Sequence, residues 1–367
     1  MKELKSVLVC LVVINILFPC PTQAAVAAQS SASTDRPPVV SPTKAESITE
    51  PVFYATTRKW NGRKFTADRG KDTAHELGFC QFTFSARETR WDMRGALPKM
   101  QVLGWSATSR VGKSVVGEPR KFPTMDAFLD AVEEASKRSP SEDIALHVHG
   151  YFNDFEDAVG STAILGSYLK CPVIAYSWPT PKNGVPGPLS YHIAEGNVAW
   201  SQEAFTAFLR ELIARFPGRV SVTCHSMGSR LVAGALLDLY QSGVSPKVLK
   251  EVVFSSADFD SKTFANRYGK ALQLATTVRF YVSPEDKALK LSSVLYGGNK
   301  RVGSPGDEVG LLTKLPNAQV IDFSAFGGGI TGHSVPFWLL SNMHKYNRAG
   351  GQWDLVLPAW QLIKRKR

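Results

Sequence analysis

The sequence predicts an α/β fold in which a mostly parallel central sheet carries helices on both faces. Short apolar runs typical of buried strands recur along the chain, and segments with helical spacing separate them. Parallel strands are covered on both faces, so they are continuous apolar runs rather than alternating ones. The composition agrees with a globular chain, because 44% of the 367 residues are hydrophobic and 20% are charged.

The predicted elements begin near residue 51 and become regular from residue 144. Strands are predicted at 51–55, 79–85, 144–148, 173–176, 220–223, 252–254, 278–282 and 319–323. Helices are predicted at 124–138, 157–169, 197–216 and 231–240. A Pro/Gly-rich loop is predicted at 179–188, and Pro217-Gly218 ends the third helix. Alternation of this kind indicates a parallel sheet built from crossover units.

Both ends of the chain lie outside the predicted fold. Residues 1–27 combine two lysines, an apolar run and Ala25-Val26-Ala27, which is the order of a secretory signal peptide. The apolar run is shorter than the about 20 residues of a membrane span, so a periplasmic or secreted protein is favoured over an N-terminally anchored one. Residues 28–50 are predicted to form a Ser/Thr/Pro linker, 51–360 a single domain and 361–367 a basic tail.

The net charge of +11 restricts the expected partners. Basic charge attracts nucleic acids and anionic membranes, but here it is dispersed outside the tail and no nucleic-acid-binding motif accompanies it. We therefore expect no nucleic-acid partner and only weak attraction to an anionic envelope surface. Beyond the signal peptide the cysteines are Cys80, Cys171 and Cys224, whose number and spacing favour neither a disulfide framework nor a metal site.

A serine stands between the strand at 220–223 and the helix that follows. The segment is Cys224-His225-Ser226-Met227-Gly228. This strand–turn–helix context is that of a nucleophile elbow, which lifts a serine hydroxyl above the sheet of an α/β-hydrolase. Cys224 replaces the first glycine of the usual G-x-S-x-G motif. Ser226 is therefore the predicted catalytic nucleophile.

A nucleophilic serine needs a base and an acid, which in this fold follow it along the chain. Of the two downstream histidines, His333 lies in a glycine-rich loop after a strand, whereas His344 has a helical context. His333 is the predicted base. Asp286 and Asp258 both follow strand ends and either position suits the acid. Asp286 is preferred because it follows the later strand, and Asp258 is kept as the alternative.

Acyl transfer also needs donors for the developing oxyanion. The predicted donors are the backbone N–H groups of Met227, next to the nucleophile, and of Tyr151, in the loop after the strand at 144–148. Gly150 lets that loop bend close to the site. His149 and His225 are interpreted as shaping the oxyanion turn and packing inside the elbow.

Several of these motifs resemble one bacterial family. They are His149-Gly150-Tyr151-Phe152-Asn153-Asp154-Phe155-Glu156-Asp157-Ala158, Tyr176-Ser177-Trp178-Pro179, His225-Ser226-Met227-Gly228, Val52-Phe53-Tyr54-Ala55-Thr56-Thr57-Arg58, Asp286-Lys287-Ala288-Leu289 and Gly332-His333-Ser334. Together they are similar to the α/β-hydrolases grouped as DUF900, over roughly residues 51–340. The resemblance implies a serine hydrolase of esterase or lipase type without a cofactor. Ser229 stands where that family is expected to have Asn.

The predicted function is cleavage of a small-molecule carboxylic or thio ester through an acyl-enzyme on Ser226. An amidase or peptidase with the same triad is an alternative, since it differs only in the leaving group. A non-catalytic envelope binding protein on a hydrolase scaffold is a second alternative, because fold does not determine function. All three predicted triad residues are present, which favours an enzyme. Trp178 and Pro179 begin a loop that is expected either to wall the substrate pocket or to pack inside the fold.

Overall fold

The computed structural model describes residues 47–71, 75–85, 114–182, 187–324, 331–335, 337 and 339–340. The strands are β1 (Ser47–Thr56), β2 (Arg58–Trp60), β3 (Phe65–Arg69), β4 (Glu76–Ser85), β5 (Ser114–Phe122), β6 (Ile144–Val148), β7 (Val173–Ser177), β8 (Val220–His225), β9 (Leu249–Ser255), β10 (Ala275–Val282) and β11 (Ala318–Asp322). The helices are α1 (Met125–Lys137), α2 (Phe155–Leu169), α3 (Pro188–Arg215), α4 (Gly228–Gln241), α5 (Ser261–Thr263), α6 (Lys287–Leu295) and α7 (Val309–Thr313). A π-helical turn (Phe264–Tyr268) and 3-10 turns (Gly269–Leu274, Gly306–Glu308) complete them.

Within these residues, nine strands form one sheet in the order β11-β10-β9-β8-β6-β7-β1-β4-β5. The pairs from β11 to β1 are parallel, and β4 and β5 extend the sheet antiparallel at one edge. A separate two-stranded sheet joins β2 and β3. The predicted α/β fold with a mostly parallel sheet is confirmed.

Helices cover both faces of the sheet. One buried cluster contains Phe128 of α1, Phe205 and Leu212 of α3 and Leu231 of α4. The cluster on the other face contains Val159 and Leu165 of α2, with Leu339 and Leu340 near the end of the described chain. β6 and β7 are buried at every residue, which is why apolar residues predominate in them, with His147 and Ser177 as the polar exceptions.

β5 (Ser114–Phe122) was not predicted, several elements begin two or three residues earlier than predicted, and two boundaries differ by more. β1 begins at Ser47, inside the segment predicted as a linker at 28–50, because it pairs with β4 from Ser47↔Ser85 to Thr56↔Glu76. Residues 47–50 pair with β4 through backbone hydrogen bonds, and their side chains alternate between exposed and half-buried, so no apolar pattern marks them in the sequence. α3 begins at Pro188 rather than near 197; proline is favourable in a first helical turn, where its missing N–H would have no partner.

The predicted signal peptide (1–27), the basic tail (361–367) and His344 lie outside the described residues. No helix in the described part of the chain is long and apolar enough to cross a membrane. The parallel strands all end at one edge of the sheet, where β6, β8, β9, β10 and β11 lead into the loops that carry the predicted site.

Candidate active site

The turn between β8 and α4 holds Ser226 in a left-handed conformation, with φ of +51°. That conformation costs a non-glycine residue about 1–3 kcal/mol and persists only where its surroundings enforce it. Here the Ser226 N–H donates to the Ser255 carbonyl at 3.0 Å, and the Ser226 carbonyl accepts from the Asp258 N–H at 3.1 Å. Ser226 is 7% exposed. The main chain therefore fixes this serine at the carboxyl end of β8, as a nucleophile elbow requires.

The two small-residue positions of the elbow behave differently. A Cβ on Gly228 would lie 2.3 Å from the His149 carbonyl oxygen, so only glycine fits where α4 starts against the end of β6. Cys224 is buried, and its thiol lies 3.4 Å from the Val253 carbonyl on β9. Burial raises the pKa of the Cys224 thiol well above its usual value, so this group is neutral. Residue 224 has room for a side chain, which explains the missing first glycine.

His333 and Asp286 are in direct contact. The Nδ1 of His333 donates to Oδ2 of Asp286 at 2.7 Å, and the Asp286 side chain is fully buried. The other carboxylate oxygen accepts the Leu289 N–H at 2.9 Å, which caps α6. The Lys287 N–H donates to the Thr331 carbonyl at 2.8 Å and ties the histidine loop to the same segment. Asp286 thus fixes both the tautomer and the direction of the His333 ring.

Two opposing effects set the pKa of His333. Burial by itself lowers this pKa, because it disfavours the charged ring. The charge and hydrogen bond of Asp286 outweigh burial, Asp258 adds to them, and the pKa is raised above the usual value. Among the described residues no hydrogen bond joins the Ser226 hydroxyl to the His333 ring. In acyl-transfer sites without substrate this contact is often long.

Asp258, the alternative acid, lies in a different set of contacts. Its Oδ1 accepts from Ser292 Oγ at 2.7 Å and forms an ion pair with Arg301, whose Nε lies 3.0 Å away and donates to Ser292 Oγ, and its Oδ2 accepts from the Tyr191 hydroxyl. Arg230 donates from Nε to the Asp258 carbonyl at 3.0 Å. The Asp258 carboxylate is therefore engaged by an arginine and two hydroxyls, whereas His333 Nδ1 is bonded to Asp286.

The loop after β6 packs directly against the elbow. A Cβ on Gly150 would lie 3.0 Å from Ser226 Cβ, so glycine permits this approach. The Phe152 N–H donates to Thr180 Oγ1 at 3.0 Å, with Phe152 itself at φ of +63°. Within the described residues, the N–H groups of Tyr151 and Met227 donate to no protein acceptor. These two N–H groups are the predicted oxyanion donors.

A buried arginine holds both ends of this loop. Arg58 NH2 donates to the Asn153 carbonyl at 2.8 Å and lies 3.4 Å from His149 Nε2. Its Nε donates to Ser177 Oγ at 2.8 Å. Burial lowers the pKa of Arg58 to about 10, although the charges of Asp154 and Asp157 oppose the shift. The guanidinium remains charged at neutral pH.

His149 and Trp178 complete the support of the loop. The two rings stack with centroids 5.2 Å apart, and Trp178 Nε1 donates to the His149 carbonyl at 2.8 Å. Burial, followed by the charge of Arg58, lowers the pKa of His149 well below its usual value. His149 is thus a neutral structural histidine. Trp178 is fully buried, so of the two roles expected for this residue it has the packing role.

Two residues that support the candidate site were named from the sequence without this role, Arg58 within a motif and Tyr191 as the end of the loop that begins at Trp178. Arg58 was visible only as part of a motif, because the loop that it supports is 95 residues away along the chain. Tyr191, at the start of α3, packs against Tyr151 with ring centroids 5.4 Å apart and contacts Asp258. Its position depended on the true start of α3, which the sequence analysis set too late.

The chain is similar to several solved structures at low sequence identity. No curated protein matches the chain. Solved structures similar to it include esterase PE8, at 13% identity and a TM-score of 0.33 over 56% of this chain and 92% of that one. A bacterial heroin esterase is similar at 12% identity and a TM-score of 0.35, over 83% of this chain and 85% of that one. An esterase/lipase from an uncultured bacterium is similar at 12% identity and a TM-score of 0.32, over 56% and 76%.

The family comparison is more direct. The model of the family described as "Alpha/beta hydrolase of unknown function (DUF900)" matches residues 125–331, which is more than half of the chain. The matched range contains the loop after β6, the elbow and Asp286, and ends two residues before His333. The resemblance noted from the sequence is confirmed: the chain belongs to the α/β-hydrolases of unknown function grouped as DUF900.

Proposed function

We propose that this protein is a serine hydrolase that cleaves carboxylic or thio esters of small molecules through an acyl-enzyme on Ser226. The observation that carries the proposal is the 2.7 Å contact between His333 Nδ1 and the buried Asp286 carboxylate. A histidine oriented by a carboxylate, at the sheet edge where a strained serine directly follows β8, is the arrangement that activates a serine hydroxyl.

The mechanism assigns one step to each group. Ser226 Oγ attacks the carbonyl carbon while its proton passes to His333 Nε2, and Asp286 stabilises the resulting imidazolium. The N–H groups of Tyr151 and Met227 donate to the oxyanion of the tetrahedral intermediate. The carbon–oxygen or carbon–sulfur bond then breaks, and His333 returns the proton to the leaving alcohol or thiol. Water attacks the acyl-enzyme by the same proton transfers and releases the acid.

The test of the nucleophile is labelling of purified protein with a fluorescent fluorophosphonate. We expect the wild type to be labelled and Ser226→Ala to be unlabelled. Ser242→Ala is the matched control, because Ser242 lies at the opposite end of α4 from the elbow. Absence of label on the wild type, or equal labelling of Ser226→Ala, would contradict the proposal.

Leaving-group preference is tested separately with p-nitrophenyl esters and the corresponding p-nitroanilides. We expect turnover of the esters and of matched thioesters, and little turnover of the amides. Faster cleavage of the anilides would replace the ester proposal by the amidase alternative. Labelling of Ser226 without turnover of any ester, thioester or amide would favour the binding-protein alternative.

We further propose that the protein is exported and that residues 1–27 are removed as a signal peptide. The support is the order of charged, apolar and small residues in that segment. Mass spectrometry of protein from the periplasm or the medium is expected to give the mass of a chain that begins after residue 27. Recovery of the full-length chain in the membrane fraction would instead support a retained anchor.

A further inference from the structure

His225 stands between the elbow and the histidine loop. It is the last residue of β8, and its Nε2 lies 3.3 Å from the carbonyl oxygen of His333. The two imidazole rings meet edge to face, with centroids 4.8 Å apart. On the oxyanion-loop side, a Cβ on Gly150 would lie 2.8 Å from His225 Nδ1. The His225 ring is therefore in contact range of the loops that carry two predicted parts of the site.

The protonation of His225 follows from its partner. A carbonyl oxygen only accepts hydrogen bonds, so the nitrogen that faces it carries the proton. Burial, followed by the charge of His333, lowers the pKa of His225 to about 3, which keeps the ring neutral at ordinary pH. The ring is thus the Nε2–H tautomer, and Nε2 is a donor rather than a proton acceptor. This excludes Nε2 of His225 as a second general base.

Resting on the proposed function, we propose that His225 is a positioning residue whose Nε2–H fixes the main chain of His333. His333 directly follows Gly332, which has φ of +65°, and a glycine leaves the main chain beside it more conformational freedom than any other residue. Asp286 holds the ring at Nδ1, and the Lys287 N–H holds the Thr331 carbonyl two residues earlier. The hydrogen bond from His225 Nε2–H additionally restrains the carbonyl of His333 itself. Because the ring and the main chain of His333 are both restrained, Nε2 of His333 keeps a constant direction toward the elbow.

A matched pair of substitutions separates this donor from simple packing. Glutamine and methionine have similar length and shape, but only glutamine carries an N–H donor near the position of the imidazole Nε2. We expect His225→Met to lower kcat and the rate of fluorophosphonate labelling by about 10- to 100-fold, the range that a small misplacement of a catalytic group produces. KM is expected to change little. His225→Gln is expected to recover most of the lost rate.

The structural controls are thermal unfolding and the tautomer of the wild type. Equal unfolding temperatures for His225→Gln and His225→Met attribute their difference in rate to the donor. Long-range proton–nitrogen NMR of the wild type is expected to report His225 as the neutral Nε2–H tautomer. This measurement stands even where neither variant folds, and a ring found as the Nδ1–H tautomer overturns the proposal.

The proposal and the function on which it rests fail in different ways. Equal kcat in wild type and His225→Met, or equal losses in the two variants, rejects the positioning role and leaves Ser226 as the nucleophile. A wild type that is not labelled at Ser226 rejects the proposed function. In that case the NMR measurement still decides whether His225 donates to the His333 loop.

Discussion

The ends of β9 and β10 carry two buried aspartates that look equivalent until their partners are compared. Asp258 is 2% exposed and Asp286 is 0% exposed, and both raise the pKa of His333. Asp286 contacts the ring directly, whereas the Asp258 carboxylate is engaged by Arg301, Ser292 and Tyr191. Burial alone therefore does not identify a catalytic acid. The proposed acid is the carboxylate whose side-chain partner is the proposed base.

The largest difference between the two aspartates is expected in the rate. In Asp286→Asn the side chain cannot stabilise the imidazolium and can present an N–H to His333, which favours the wrong tautomer. We expect kcat for a p-nitrophenyl ester to fall by about 10³- to 10⁴-fold. A loss of less than tenfold in kcat would contradict the assignment of Asp286 as the acid.

The second difference is expected in stability. In Asp258→Asn the buried Arg301 loses its charged partner, and breaking a buried ion pair costs about 3–5 kcal/mol. We expect a loss of this size in the free energy of unfolding, measured by urea titration. The kcat of the folded variant is expected to stay within about tenfold of wild type, since Asp258 acts on His333 only at longer range. A larger fall in kcat than that of Asp286→Asn would assign the acid to Asp258.

The pH dependence gives a third contrast. The base must be neutral to accept the serine proton, so kcat/KM is expected to fall as the pH is lowered through the pKa of His333, which is raised above 6.5. Without the Asp286 charge, burial lowers that pKa, and the acid limb of Asp286→Asn is expected to move to lower pH. Asp258→Asn is expected to move it in the same direction by less. Full pH–rate profiles of the three proteins measure both shifts.

The same raised pKa has a consequence for stability with the opposite dependence on pH. A base that binds its proton more tightly when folded stabilises the fold below its unfolded pKa, and that contribution is lost as the pH rises through the folded pKa. The buried His147, His149 and His225 have lowered pKa values and contribute with the opposite sign, so the increment is read as the difference in unfolding free energy between wild type and His333→Gln, which share them. This difference is expected to fall as the pH rises through the folded pKa of His333, while activity rises. Urea titrations of both proteins on the two sides of the acid limb check the sign, and a difference that grows with pH would contradict it.

The smallest expected effect is that of Tyr191→Phe. This change removes a hydroxyl that donates to the Asp258 carboxylate and accepts from Arg230 NH2 at 3.0 Å, and it leaves the contacts of Asp258 with Arg301 and Ser292 in place. We expect a loss of about 2 kcal/mol in unfolding free energy, about 1 kcal/mol for each of the two hydrogen bonds, and an unchanged kcat. A large fall in kcat would show that Tyr191, which also packs on Tyr151, acts on the oxyanion loop.

The local fold around Ser226 was predictable because it depends on order along the chain: a strand, a tight turn and a helix follow one another within a few residues. His333 was selected because few histidines follow that serine, and its ring does lie against Asp286. The roles of Ser226 and His333 in catalysis stay predictions. The fold class came from apolar runs that parallel packing produces directly.

The sequence was less informative where side chains from distant strands meet. Asp258 and Asp286 occupy similar places relative to their strands, and only their contacts with Arg301 and His333 distinguish them. The tolerance of Cys224 depends on space beside Val253 on the neighbouring strand. The partners of the two aspartates and the space beside Cys224 both depend on the directions of side chains. Side-chain directions leave no periodic pattern in the sequence, whereas the order of strands and helices does.

Arg58 makes the shape of the loop after β6 depend on the position of the N-terminal strands. Its guanidinium holds the loop between His149 and Asn153, yet it belongs to the β1–β2 end of the chain, and β1 lies between β7 and β4 in the sheet. We therefore expect the loop after β6 to reach its final geometry only when β1 has inserted into a sheet whose other parallel strands come later in the sequence. Recovery of activity during refolding is expected to follow the docking of β1, and a chain that retains Ser226, Asp286 and His333 but lacks docked β1 is expected to be inactive.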